Sequence, residues 1–158
     1  MMSKAVILAA LLFILPSSAL AWTPITITRV VDGDTIAARA YGIGAEIRIR
    51  LYGIDCPEKK QPYGQRATET LKSMISGKRA EMDAKDTDRY GRTVALVRAN
   101  GKGINEQMLT SGYAWVYTKY CKASFCDDWR ALEESARSGR LGLWQDPKPM
   151  PPWEWRHR

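Results

Sequence analysis

The stretch Arg48-Ile49-Arg50-Leu51-Tyr52-Gly53-Ile54-Asp55-Cys56-Pro57-Glu58 leaves a folding chain few options. Ile47, Ile49 and Leu51 share one parity and Arg48, Arg50 and Tyr52 the other, the two-residue period of a strand with one buried face. Gly53 then permits a bend or bulge. Pro57 fixes its own backbone angle and pushes Cys56 into an extended conformation, so the strand ends in a defined shape. Asp55 and Glu58 stand at that rigid exit. Taken alone, the run fits a charged edge with a surface ion pair. That is the commoner fate of such runs; the sharper reading is a site for an anionic ligand and a hard cation, and the rest of the chain has to decide.

The chain has 158 residues, enough for one domain with its own core. Residues 1–21 read as a cleaved secretory leader: Lys4 supplies the positive start, Ala5 to Leu15 the apolar stretch, and Ala19-Leu20-Ala21 the small-residue cleavage site. That apolar run is well short of the roughly 20 residues a membrane span needs. The expected mature form is therefore exported, periplasmic or extracellular, and not membrane-anchored. Losing Lys4 with the leader lowers the formal net charge from +7 to +6. A basic small domain suits a polyanion, and it suits solubility as well.

Three cysteines remain in an exported chain, where disulfides persist. Cys121 and Cys126 flank a short polar loop and are expected to pair. Cys56 is then a buried small thiol. The single histidine is His157, so histidine-base catalysis and His/Cys zinc sites lack their residues. Any chemistry must use carboxylates, arginines, hydroxyls and an oxygen-binding cation.

Strands are expected over residues 22–31, 36–39, 46–54, 80–86 and 93–99. Asp32-Gly33 and Tyr41-Gly42-Ile43-Gly44 are the first two turns, and Asp88 to Arg92 joins the last two strands. Helices are expected over 65–76, 105–111 and 127–138, the second capped by Asn105. The prolines of the segment 146–158 argue against regular structure there, and its tryptophans are expected to pack back on the domain, which spans 22–145. The pattern predicts an α+β, mainly β, fold: a five-stranded OB-fold barrel with three attached helices.

Three charged clusters fall at turns or strand exits: Asp32-Gly33-Asp34-Thr35, Arg50 with Asp55 to Glu58, and Asp88-Arg89-Tyr90-Gly91-Arg92. Together they resemble the staphylococcal nuclease (thermonuclease) family. The matching stretches are VVDGDT (30–35), IRLYGIDCPE (49–58), YGQRA (63–67), DTDRYGRTVA (86–95), GINEQMLTSGYAWVY (103–117) and GLW (142–144). The PPWEWR run (151–156) is similar to the tail of small exported bacterial members.

The resemblance implies a Ca²⁺ site built from Asp34, Asp55 and the backbone carbonyl of Cys56. It implies phosphate-binding arginines at Arg50 and Arg92 and a catalytic glutamate at Glu58. Tyr90 matches a tyrosine near the nucleotide phosphate. A second family tyrosine falls at Thr118, between Tyr117 and Tyr120. Tyr117, Arg89 and Lys119 are the further expected substrate contacts, with Lys85 and Arg98 as groove candidates. The implied activity is hydrolysis of DNA and RNA without sugar specificity, leaving 3′-phosphate ends, by a monomer with no stable protein partner.

Elementary chemistry supports these roles. Carboxylates and carbonyls suit Ca²⁺, with Mg²⁺ less well served. Arginine forks grip phosphate oxygens bidentately, which lysine does not. Two rivals stand beside the enzyme: a binding-only domain and a single-strand binder. The first would lack a member of the charged set, and all five are present. The second would need aromatics on exposed strands, whereas the tryptophans cluster late in the chain.

Overall fold

A computed structural model of the protein describes residues 22–42 and 44–158. The leader expected over 1–21, and Ile43 in the second turn, lie outside the described residues. Strands β1 (Thr23–Val30), β2 (Thr35–Ala40) and β3 (Glu46–Leu51) form the expected meander. A short β4 (Ile54–Asp55) then leads to helix α1 (Gly64–Ile75). The hairpin of β5 (Ala80–Thr87) and β6 (Thr93–Ala99) follows. After it come β7 (Lys102–Gly103), α2 (Ile104–Thr110), β8 (Trp115–Val116) and α3 (Cys126–Ser138).

The main sheet runs β3-β2-β1-β5-β6-β7, and β3 also pairs with β6. That last pairing is parallel, with Ile49 opposite Thr93 and Arg50 opposite Val94. It closes β1, β2, β3, β5 and β6 into the predicted OB-type barrel. Closure requires strongly bent strands, and bulges supply the bend. One lies between Ile27 and Arg29, the other between Ala84 and Asp86. The first breaks the alternation expected along β1, so Arg29 is exposed and Val30 follows Ile27 onto the core side.

Ile36, Ala38, Ile49, Leu51, Ala95 and Val97 belong to the main core. Ala67, Leu71 and Ile75 of α1 and Ile104, Met108 and Leu109 of α2 join them in the same cluster. The disulfide Cys121–Cys126 forms as expected, with Cα atoms 5.8 Å apart. It backs the turn at Gly53: a Cβ there would stand 2.8 Å from Cys121 Sγ, and the positive φ of 69° already favours glycine.

Two expectations are corrected. Asn105 does not cap α2; the cap position is Gly103, and Asn105 is buried inside the helix. Its Oδ1 accepts the Val97 N–H at 3.0 Å, and its Nδ2 donates to the Tyr52 carbonyl at 3.0 Å. The chain leaves β3 at Tyr52, so the amide serves a backbone oxygen at the strand end and a donor on β6. The segment 146–158 is also not wholly irregular. A 3-10 turn at Gly142–Gln145 is followed by α4 (Pro152–Trp155), a single helical turn. Pro152 opens α4, where a missing N–H costs no hydrogen bond.

Replacing the Asn105 amide leaves both backbone groups buried without it. Asn105→Ala is expected to lose about 2–4 kcal/mol of stability in urea unfolding. A loss under about 1 kcal/mol contradicts this role for the amide.

Candidate active site

The centre of the site is one guanidinium. Arg50 lies near the end of β3, opposite Thr35 of β2, and the Asp34 carbonyl accepts the next backbone N–H, Leu51, at 2.8 Å. Its Nη2 donates to Asp55 Oδ1 at 2.7 Å. Its Nη1 lies 2.8 Å from Asp34 Oδ1. The second contact is an ion pair without hydrogen-bond alignment, so Nη1 is buried with no aligned hydrogen bond. Arg50 therefore joins the DGDT turn to the exit of the third strand.

Two glycines let the backbone close around this pair of carboxylates. Gly33 does not adopt a positive φ; it is needed because a Cβ would stand 2.7 Å from Cys56 Cβ and 2.9 Å from Ala67 Cβ. Gly64, the first residue of α1, lies against Glu58, where a Cβ would fall 1.8 Å from the carbonyl oxygen. The DGDT turn, the Asp55–Glu58 segment and α1 are thereby pressed together. The Cys56 N–H donates to Asp34 Oδ2 at 2.7 Å, and the Cys56 thiol to the Gly33 carbonyl at 3.2 Å.

Burial pushes the Asp34 carboxyl up to about 7, Arg50 opposes the rise, and Asp32 and Asp55 add to it. Two buried carboxylates and a backbone oxygen are an all-oxygen donor set, and an oxygen-preferring cation fits them. Among the described residues no group of three or more His, Cys, Asp and Glu side chains is arranged to hold a metal. Water and the carbonyl would have to complete any coordination shell.

Arg92 lies just before β6, two residues from Val94, the register partner of Arg50, so it shares that residue's parity. Its side chain is folded onto its own hairpin, with Nε donating to Asp88 Oδ2 at 2.6 Å. Burial works to raise Asp88, but the Arg92 backbone and side-chain bonds outweigh it and hold the carboxyl below its usual value. Arg92 and Arg89 both stack on the exposed ring of Tyr90, and Arg89 donates to its hydroxyl. Lys119 lies over Tyr120. Lys85 and Arg98 are paired with Asp83 and Glu81. Tyr117 differs from expectation in its surroundings: Trp153 stacks on it at 5.3 Å and 8°, covering one ring face. Arg48 is exposed.

Sequence reasoning missed Arg156. Its Nη2 donates to Asp55 Oδ2 at 2.7 Å, and its Nη1 reaches Glu58 Oε1 at 2.7 Å and Asp55 Oδ1 at 3.3 Å. Burial disfavours its charge, but the bonds to Asp55 and Glu58 outweigh this and raise it above the usual guanidinium range. The signal was present in the PPWEWR run. Trp153 packs on Trp115, which is the strand partner of Asp55, and Arg156 follows one helical turn later.

These charged turns on a closed barrel have counterparts in known proteins. The family model described as staphylococcal nuclease homologue matches residues 48–146. The chain belongs to the staphylococcal nuclease family. An uncharacterized endonuclease of Escherichia coli is 42% identical over 133 residues, covering 84% of this chain and 84% of the relative. An uncharacterized endonuclease of Haemophilus influenzae is 35% identical, covering 84% of this chain and 72% of that protein. A probable staphylococcal-like nuclease of Oryza sativa is 44% identical over 78% of this chain, but the match covers only 35% of the plant protein. The family model spans Arg50, Asp55, Glu58 and Arg92, and it begins after the DGDT turn.

The same burial determines the state of the free thiol. Burial, then the Asp34 charge, pushes the Cys56 thiol well above its usual value, with Arg50 opposing. A raised thiol stays protonated and unreactive at neutral pH. Ellman's reagent is therefore expected to leave the native protein unmodified at pH 8 and to titrate Cys56 only after unfolding. Reaction of the folded protein at the rate of an exposed thiol contradicts this.

Proposed function

We propose that this member of the staphylococcal nuclease family is an exported, Ca²⁺-dependent nuclease that hydrolyses DNA and RNA and leaves 3′-phosphate ends. Family membership makes it a nuclease of the hydrolase class. The observation that carries the finer reading is Arg50, buried between Asp34 and Asp55, with Nη1 2.8 Å from Asp34 Oδ1 but out of hydrogen-bond alignment. A phosphate oxygen is the natural acceptor for such a donor.

Asp34, Asp55 and the Cys56 carbonyl would hold the Ca²⁺. When bound, the cation neutralises phosphate charge and polarises water. Arg50 binds one phosphate oxygen once Asp34 turns from it to the cation, and it stabilises the charge that builds as phosphorus becomes five-coordinate. Arg92 supplies a second guanidinium after leaving Asp88 for the substrate. Glu58 stands at the partly exposed mouth, where it can orient a water or accept its proton. Arg89, Tyr90, Tyr117 and Lys119 would touch flanking phosphates and bases. Lys59, Arg66 and Lys72 line open clefts over α1 beside the cluster, and Asp34 and Asp55 line neither. The leader read at 1–21 supports export to the periplasm or the medium, and a monomer suffices for this site.

Activity on single- and double-stranded DNA and RNA, with Ca²⁺, with Mg²⁺ and in chelator, tests this reading. Ca²⁺ is expected to support cleavage best, and chelator to abolish it. Glu58→Ala should lower kcat by about 10²–10⁴-fold with the fold retained. Full cleavage in chelator, or by the Glu58 variant, contradicts the mechanism.

A further inference from the structure

The site holds a further guanidinium, Arg156, that the phosphodiester chemistry above does not use. Arg156 bonds to both oxygens of Asp55 and to one of Glu58. Asp55 Oδ1 already accepts from Arg50, so each of its oxygens carries an arginine donor. Any cation that takes Asp55 as a ligand must contend with these positive charges at the same oxygens. The two arginines differ in freedom. Arg50 has a side chain 13% exposed and sits within the barrel wall, whereas Arg156 is 37% exposed and reaches in from outside.

The segment that carries Arg156 is anchored independently of the ion pairs. Gln61 Nε2 donates to the Met150 carbonyl at 2.7 Å, and Gln61 Oε1 also accepts the Glu58 N–H at 3.0 Å. Trp153 is packed on Trp115 and Tyr117. The guanidinium can therefore leave Asp55 while α4 stays in place.

We propose that Arg156 is a tethered counter-cation of the site, holding Asp55 and Glu58 in the metal-free protein and yielding Asp55 when a divalent cation binds. This rests on the reading that Asp34 and Asp55 ligate that cation. Attraction to the same carboxylate makes the two cations competitors, and repulsion between them makes joint occupancy costly. Cation affinity is then lowered by the fraction of molecules in which Arg156 is closed. The chain end thus sets the cation concentration at which the site loads. After release, Arg156 remains beside Glu58, where it keeps that carboxylate oriented toward the mouth.

Calorimetric Ca²⁺ binding to the full chain and to Arg156→Gln tests this without reference to activity. The variant is expected to bind about tenfold tighter, the factor for a closed form favoured about ten to one. A structural anchor alone would give the opposite sign, because losing it would loosen the ligands. Equal or weaker binding by the variant overturns the proposal. Wild-type protein in ¹⁵N spectra provides a second measurement that needs no variant to fold. Slowly exchanging Arg156 Nη2 protons, which donate to Asp55, should be seen in chelator and should lose their protection at saturating Ca²⁺. Unchanged protection overturns the proposal. If neither wild type nor variant binds Ca²⁺, the cation reading fails first and the proposal falls with it.

Discussion

The contact between Arg50 and the carboxylates of Asp34 and Asp55 is the interaction on which the site's architecture depends. Three charges at this depth are unfavourable unless they are paired and well placed. Their placement comes from the barrel. The β2–β3 register sets Thr35 opposite Arg50 and so brings the DGDT turn alongside. Gly53 turns the chain after β3, so Asp55 returns toward the same guanidinium. Gly33 and Gly64 remove the side chains that would hold the turn, the Cys56 segment and α1 apart. Removing either carboxylate would leave the arginine under-compensated, and removing Arg50 would leave two carboxylates in a pocket that already resists ionising Asp34.

The elements behind the site serve this arrangement. Asn105 ties the end of β3 to β6 and α2. The disulfide loop packs behind Gly53, and the Lys122 N–H donates to the Tyr52 hydroxyl at 3.1 Å. Trp115 is paired with Asp55 through β4–β8, and it packs against Trp144 at 4.3 Å and against Trp153. The aromatic group between α3 and the C-terminal segment is thus coupled to the same carboxylate that Arg50 and Arg156 hold. Stability and chemistry meet at Asp55.

Much of this was legible in the sequence because it is local. Two-residue alternation gave the strands, glycine and proline gave the turns, and four of the five charged positions lie at turns or exits that local rules place. What was not legible depends on contacts between distant residues. Asn105 has the composition of a helix cap, and only the packing of α2 on the barrel turns its amide inward. The bulge at Thr28 follows from barrel closure, which no single strand encodes. Arg156 lies 98 residues from Glu58 in the chain, and its contact depends on where Trp153 docks. Tyr117 reads as a free stacking surface until the same tryptophan covers it.

The Arg50 cluster is expected to receive both the cation and the phosphate, and a crystal structure with Ca²⁺ and a short phosphorothioate oligonucleotide would show whether it does. Ca²⁺ should lie on Asp34, Asp55 and the Cys56 carbonyl, with a phosphate oxygen on Arg50. Ca²⁺ bound elsewhere, or a backbone phosphate held away from Arg50 while both carboxylates stay closed on it, would rule this out.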